Sequence, residues 1–268
     1  MSEVVLITGA TSGMGKAMAE SLARTGYQVF ATGRNIPDDS RINNLSYKYL
    51  DVKNSDSVKG AISGIIEQHH RVDILINSAG LGLAGPLEEI PFEEIYNLFE
   101  TNFFGTIRVI KHVIPIMRKQ GKGLIVNMSS IGGRVGLPFQ SIYSSSKFAI
   151  ESLTEALRIE LKPFGIKVCL IEPGDYHTSV NANRRTVIPS RESAYHKRLK
   201  DFFDLLENNI NQGSDPEKLG KLILKIVKSG KPGLRYKSGK FFEKITPFAR
   251  KLIPNRIFEW FLTRFYKL

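Results

Sequence analysis

A chain of 268 residues, 42% of them hydrophobic, is long enough to bury one sizeable core, and it shows no repeat or low-complexity linker that would divide it. Met1-Ser2-Glu3 leads straight into Val4-Val5-Leu6-Ile7, which has neither the basic start nor the long apolar stretch of a secretory signal. No uninterrupted apolar run reaches the roughly eighteen residues of a membrane span, and the lone Cys169 excludes an internal disulfide, so a reducing, cytoplasmic setting is expected.

Short apolar runs at 4–8, 28–32, 47–50, 73–77, 124–128 and 167–171 predict strands. Most are continuous rather than alternating, as strands buried on both faces are. Helix-forming or amphipathic stretches lie near 14–25, 55–69, 88–119 and 143–163. Such alternation predicts an α/β fold, a doubly wound parallel sheet with helices on both sides. Ligands of these sheets bind beyond the carboxyl ends of the strands.

The first such end reads Thr8-Gly9-Ala10-Thr11-Ser12-Gly13-Met14-Gly15 and passes directly into Lys16-Ala17-Met18-Ala19-Glu20. Glycines permit a tight turn and let main-chain N–H groups approach a pyrophosphate at a helix N-terminus. Gly9, Thr11, Ser12, Gly13, Met14 and Gly15 are therefore candidates for holding a dinucleotide. At the second end, Gly33 and Arg34 stand where a free ribose 2′-hydroxyl needs a carboxylate. A guanidinium grips a 2′-phosphate bidentately, which favours NADP over NAD. Asp51-Val52 and Asn77-Ser78-Ala79-Gly80 close the third and fourth strands, the small residues leaving room for adenine and ribose. In the long helical stretch that follows, Asn102 lies near Gly105, a poor choice for propensity. It is expected to bend the helix and hold a water near Lys147.

The fifth strand ends in Ser129-Ser130, and thirteen residues on come Tyr143-Ser144-Ser145-Ser146-Lys147. Residues four apart share a helix face, with Cβ atoms about 6 Å apart. A lysine charge at ~4 Å is expected to lower the phenol's pKa by roughly three units, less the cost of desolvating the lysine. Tyr143 then exchanges a proton with a substrate oxygen that the Ser130 hydroxyl also holds.

The Gly-rich octet, Asn77-Ser78-Ala79-Gly80, Asn102, Ser130, Tyr143, Lys147 and Pro173-Gly174 with Thr178 together resemble the short-chain dehydrogenase/reductase family. The likeness covers roughly residues 4–230 and implies a Rossmann-type fold. It implies an oxidoreductase with the catalytic tetrad Asn102, Ser130, Tyr143 and Lys147. It also implies that Lys147 holds the nicotinamide ribose, that Thr178 holds the carboxamide beside Pro173 and Gly174, and that Asp51 and Val52 contact adenine. Ser78 departs from the family's usual Asn. A homodimer or tetramer through the helices near 88–119 and 143–163 is implied by the resemblance alone.

Gly136-Leu137-Pro138-Phe139 and Ile171-Glu172-Pro173-Gly174 resemble, more loosely, the branch of 17β-hydroxysteroid and retinol dehydrogenases. That implies an apolar, steroid-, retinoid- or lipid-like carbonyl or alcohol, met by Leu137, Phe139 and Gln140 together with Ser130 and Tyr143. Two other readings remain: a 3-oxoacyl thioester reductase, and a non-catalytic NADP(H)-sensing protein. The family places its substrate lid in the interval here numbered 178–212, with Asn181, Asn183, Arg184 and Arg185 near the mouth. His177 and His196 have no cluster of partners, so no metal is assigned.

Residues 1–238 are read as the catalytic domain and 239–268 as a basic C-terminal extension. The formal charge of +12 is uneven: residues 231–268 hold ten Lys and Arg against Glu243 and Glu259, so +8 of it is local. Ile257, Phe258, Phe261, Leu262, Phe265 and Leu268 fall on one helical face. Such a face suits a membrane surface, the substrate pocket or a second subunit; no nucleic-acid motif accompanies the charge.

Overall fold

The computed structural model describes residues 2–37, 42–177 and 184–268. Val4–Thr8 (β1) is followed by Gly13–Arg24 (α1), Gln28–Gly33 (β2), Leu45–Tyr49 (β3), Ser55–His69 (α2) and Ile74–Asn77 (β4). Next come Gly82–Ala84 (β5), Phe92–Phe99 (α3), a π-helical turn at Glu100–Phe104, Gly105–Gln120 (α4), Gly123–Met128 (β6), Ser141–Glu160 (α5) and Ile166–Pro173 (β7). Arg184–Thr186 (β8), His196–Asn211 (α6), Glu217–Lys228 (α7), Arg235–Ser238 (β9), Phe241–Leu252 (α8) and Asn255–Phe265 (α9) complete the chain.

Seven parallel strands form the main sheet in the order β3-β2-β1-β4-β6-β7-β9. The direction of winding reverses between β1 and β4, which opens a crevice at their carboxyl ends. Successive residues of β1 face opposite helical layers. Val5 and Ile7 pack with Met18 and Leu22 of α1 and Leu219 and Ile223 of α7. Val4 and Leu6 pack with Val58 and Ile62 of α2 and Val109 and Val113 of α4. Burial on both faces is why the strand reads as an unbroken apolar run. Leu6 is fully buried, so Leu6→Ala costs about 2–5 kcal/mol.

Local signals explain the helix ends. Asn54 caps α2 by accepting from the Ser57 N–H at 2.9 Å, and His70, at φ 57°, ends it. The single helix expected over 88–119 is instead α3 and α4 joined by the π-turn that contains Asn102. β9 lay outside the predicted strands because Arg235-Tyr236-Lys237-Ser238 is polar, as an edge strand can be. β5 and β8 pair as a separate two-stranded ribbon. Residues 178–183, with Thr178, Asn181 and Asn183, lie outside the described residues. Cys169 is buried, and burial pushes its thiol up to about 12.

The final two helices fold back over the sheet's carboxyl edge. Arg250 of α8 donates to the Arg134 carbonyl at 2.7 Å and lies over the Phe148 ring. Glu243 accepts from the Lys240 N–H at 2.7 Å and the Asp175 N–H at 3.2 Å. It thereby ties α8 to the loop that follows β7.

Candidate active site

Gly9 sits at φ +61°, where a Cβ would come within 2.6 Å of the Ala79 main chain. Only glycine lets the turn after β1 lie this close to the loop after β4. Thr8 Oγ1 fixes the approach by accepting from the Ser78 N–H at 3.1 Å and the Ala79 N–H at 3.2 Å. Ser12 begins α1 without a side-chain cap, and no acidic residue stands in the first turn. The helix's leading N–H groups and positive dipole end are therefore suited to an anion.

Gly9, Thr11, Ser12, Gly13, Met14 and Gly15 of the Gly-rich turn, with Arg34, Asp51, Val52, Ala79, Gly80, Pro173 and Gly174, line one cleft of about 680 Å³ with Tyr143 and Lys147. Asn77 does not join them: it is buried in β4, its amide donating to Asn127 Oδ1 at 2.8 Å. Strand alternation turns that side chain away from the crevice. Arg34 is exposed at the end of β2, directly after the Gly33 that packs on Thr11. The close glycine turn and uncapped helix start suit the pyrophosphate of either dinucleotide, and the cation at the end of β2 fits NADP better than NAD.

At the far end of the cleft Ser130 and Tyr143 stand side by side, the serine hydroxyl near enough to the phenol to pull its pKa down. Ser130 Oγ also accepts from the Gly132 N–H at 3.1 Å, which orients it. Lys147 is buried; its Nζ donates to the Met128 carbonyl at 3.0 Å and lies 5.9 Å from the Tyr143 ring centre. Asn102 stays off the cleft wall. Its Oδ1 accepts from the Leu81 N–H at 2.7 Å, and its Nδ2 donates to the Leu81 carbonyl and to Ser146 Oγ. The π-turn thus aims an amide that clamps the loop after β4 from both sides. A Cβ on Gly80 would stand 3.4 Å from Asn102 Oδ1 and 3.6 Å from Lys147 Nζ, so the two polar ends converge there.

The expected lowering of the phenol's pKa is overturned. Burial raises Tyr143 above its ordinary value; the Ser130 hydroxyl and the Arg184 charge oppose that rise, and Asp175 adds to it. Burial also pushes Lys147 down to about 8, with Glu151 partly offsetting it. Spacing along a helix reveals proximity but not desolvation, and here desolvation is the larger effect. Behind Lys147, Arg235 bonds Glu151 at 2.9 Å and lies 3.1 Å from Glu172, while Arg134 stands 3.7 and 3.6 Å from the same carboxylates.

On the substrate side, Leu137 and Gln140 line the cleft, but Phe139 does not. Its ring packs edge-on against Tyr195 and Phe202, at 6.2 and 5.3 Å, on the side of an apolar cluster whose Leu206, Ile210 and Tyr266 do reach the cleft. The opposite wall comes from Leu206 and Ile210 of α6, Phe242 of α8, Phe258 and Leu262 of α9, and Tyr266 just beyond its end. Asp175 and Arg184 also reach the cleft. Burial and the neighbouring Glu243 push the Asp175 carboxyl up to about 6. Asp175 had only its place after Pro173-Gly174 as a sequence signal, and nothing local marked Leu206 or Ile210.

A family model described as short chain dehydrogenase matches residues 3–188. A 3-ketodihydrosphingosine reductase of Bacteroides thetaiotaomicron is 39% identical over 99% of this chain and 98% of its own. Retinol dehydrogenase 8 of Bos taurus is 36% identical over 86% of this chain and 80% of its own. Among solved structures, a short-chain dehydrogenase from Streptomyces avermitilis superposes with a TM-score of 0.80 at 30% identity, covering 100% of this chain and 97% of that one. ElxO with NADP bound gives 0.72 at 27% identity, over 88% and 98%. A strand order, a glycine turn and a serine–tyrosine contact that were derived residue by residue thus meet an independent match, and the chain belongs to the short-chain dehydrogenase/reductase family of oxidoreductases.

Proposed function

We propose that the protein is an NADPH-dependent reductase of long-chain lipid ketones, with a 3-keto sphingoid base as its substrate. The observation that carries this reading is the apolar wall of Leu206, Ile210, Phe258, Leu262 and Tyr266 facing the Tyr143 end of the cleft. Each methylene moved from water onto such a wall contributes about 0.8 kcal/mol. That wall comes entirely from beyond residue 188, where the family match ends, and the relative matched over nearly its whole length is a 3-ketodihydrosphingosine reductase.

When bound, NADPH supplies the hydride that the carbonyl carbon accepts. Tyr143 donates its phenolic proton to the carbonyl oxygen, and the Ser130 hydroxyl donates a hydrogen bond to the same oxygen as charge grows there. Lys147 grips the nicotinamide ribose, while Asn102 holds Leu81 and the wall beside it. Asp175 offers a carboxylate to the amine that a 3-keto sphingoid base carries next to its ketone. Exposed Phe104, which ends the π-turn leading into α4, and Ile159 on α5 support a dimer or tetramer built on those helices.

The test is a panel of 3-keto sphingoid bases, hydroxysteroids, retinoids and 3-oxoacyl thioesters, each assayed with NADPH and NADH. Turnover should be highest for the long-chain amino ketone with NADPH. Comparable or better turnover of a thioester or steroid, with none of the amino ketone, sinks the proposal.

A further inference from the structure

We infer that the outer face of the α8–α9 hairpin docks on an anionic lipid bilayer, delivering lipid ketones to the cleft that its inner face lines. Nine of the nineteen exposed large apolar side chains among the described residues lie between positions 241 and 265, and five of them, Phe241, Phe248, Leu252, Ile257 and Trp260, stand outside the cleft. Scattered exposure is ordinary, whereas this concentration marks a contact surface. Each helix is two-sided. Phe242, Ile245 and Ala249 of α8 line the cleft, while Phe241, Phe248 and Leu252 point outward; on α9, Phe258 and Leu262 line it while Ile257 and Trp260 face out.

Charge selects the occupant. Lys244, Lys251, Arg256 and Arg264 are exposed on the same two helices. Of the two acidic residues there, Glu243 is engaged by backbone N–H groups, leaving Glu259 alone. A self-complementary dimer would set these cations against their own copies, whereas an anionic headgroup layer neutralises them. At 12 and 11 residues, α8 and α9 suit lying in the interface, and no helix among the described residues is long and apolar enough to cross a membrane.

Delivery rests on the long-chain ketone reading; docking is measured without turnover. Trp260 is the only tryptophan in the chain and is 62% exposed, so its emission reports the contact directly. The full chain is mixed with vesicles of phosphatidylcholine alone, or with about a third phosphatidylglycerol, at low and high salt. Docking predicts a blue shift and co-sedimentation with the anionic vesicles at low salt, weakened by added salt. The double variant Lys244→Glu, Lys251→Glu should lower partitioning about tenfold or more, and Phe248→Glu with Leu252→Glu should abolish it. None of these four side chains lines the cleft, so turnover of a detergent-dispersed ketone should persist and certify the fold. No sedimentation, or equal binding to neutral vesicles, overturns the proposal. So does a blue shift without vesicles that grows with protein concentration, which would assign the face to a second copy. Loss of ketone turnover by the parent chain while vesicle binding persists would overturn only the substrate reading.

Discussion

Lys147 Nζ lies 5.9 Å from the centre of the Tyr143 ring and gives a hydrogen bond to the Met128 carbonyl at the end of β6. The lysine is thus held by the strand that also positions Ser130, and the tyrosine remains a half-buried, protonated acid. Tyr143→Phe removes the proton donor and keeps the ring. Turnover should fall by about 10²–10⁴-fold, while NADPH affinity, read by fluorescence titration, changes little. Substantial residual turnover would take Tyr143 out of the mechanism.

Arg34 is the cation at the end of β2. A charge-assisted hydrogen bond contributes about 1.5–3 kcal/mol, so Arg34→Glu should raise the KM for NADPH roughly ten- to a hundredfold and leave that for NADH nearly unchanged or improved. Steady-state kinetics with both coenzymes decides it. Equal loss for both would place Arg34 outside 2′-phosphate recognition.

Lys147, lowered by burial to about 8 from 10.5, carries its charge below that pH and loses it above. Ketone reduction should therefore decline as pH rises through about 8, because a neutral amine grips the ribose less well. Stability has the opposite slope. Between about 8 and 10.5 the unfolded chain binds more protons at this site than the folded one, so the lysine's contribution to unfolding free energy rises with pH. Opposite slopes in parallel activity and denaturation series identify the group; parallel slopes would exclude it.

Arg235 contacts both Glu151 and Glu172, two buried carboxylates. Replacing it by Met leaves them facing each other with one adjacent guanidinium, that of Arg134, in place of two, and breaking a buried pair in this way costs about 3–5 kcal/mol. Burial and Glu151 already raise the Glu172 carboxyl, which makes it easier to protonate in the folded chain than in the unfolded one. Protonation relieves the repulsion, so the penalty should be smaller near about pH 5.5 than near about pH 8. Urea unfolding at the two values tests both magnitude and sign.

In the proposed reading Asp175, on the cleft wall, meets the amine while the apolar wall meets the chain. Asp175→Asn should raise KM about tenfold for a long-chain amino ketone, the scale of one lost ionic hydrogen bond, and barely affect the analogue lacking the amine. An equal loss on both substrates would reduce Asp175 to a structural role.

Much of the fold was legible because strands such as Val4–Thr8 bury both faces and so advertise themselves as unbroken apolar runs. The edge strand Arg235–Ser238 buries one residue of four and sends no such signal. The break around Asn102 was visible as poor helix propensity, although nothing local specified a π-turn. At the site, Tyr143 and Lys147 came together because i and i+4 always do, but the direction of their pKa shifts depended on burial, which is set by the distant elements packed around them. Phe139 was misread for a related reason. An apolar residue in a loop near a catalytic tyrosine can face the cleft or the neighbouring helix, and Tyr195 and Phe202 decide that from over fifty residues away.

Glu243 closes a mechanical circuit in the molecule. Its carboxylate rests against Gly174 and Gly239, where any larger residue would collide with it, and its two acceptors hold the main chain on both sides. The last thirty residues are therefore latched to the segment that would embrace the nicotinamide, so a shortened or C-terminally fused version of the enzyme is not a neutral laboratory convenience. Whatever pulls on that hairpin also tugs the coenzyme's seat.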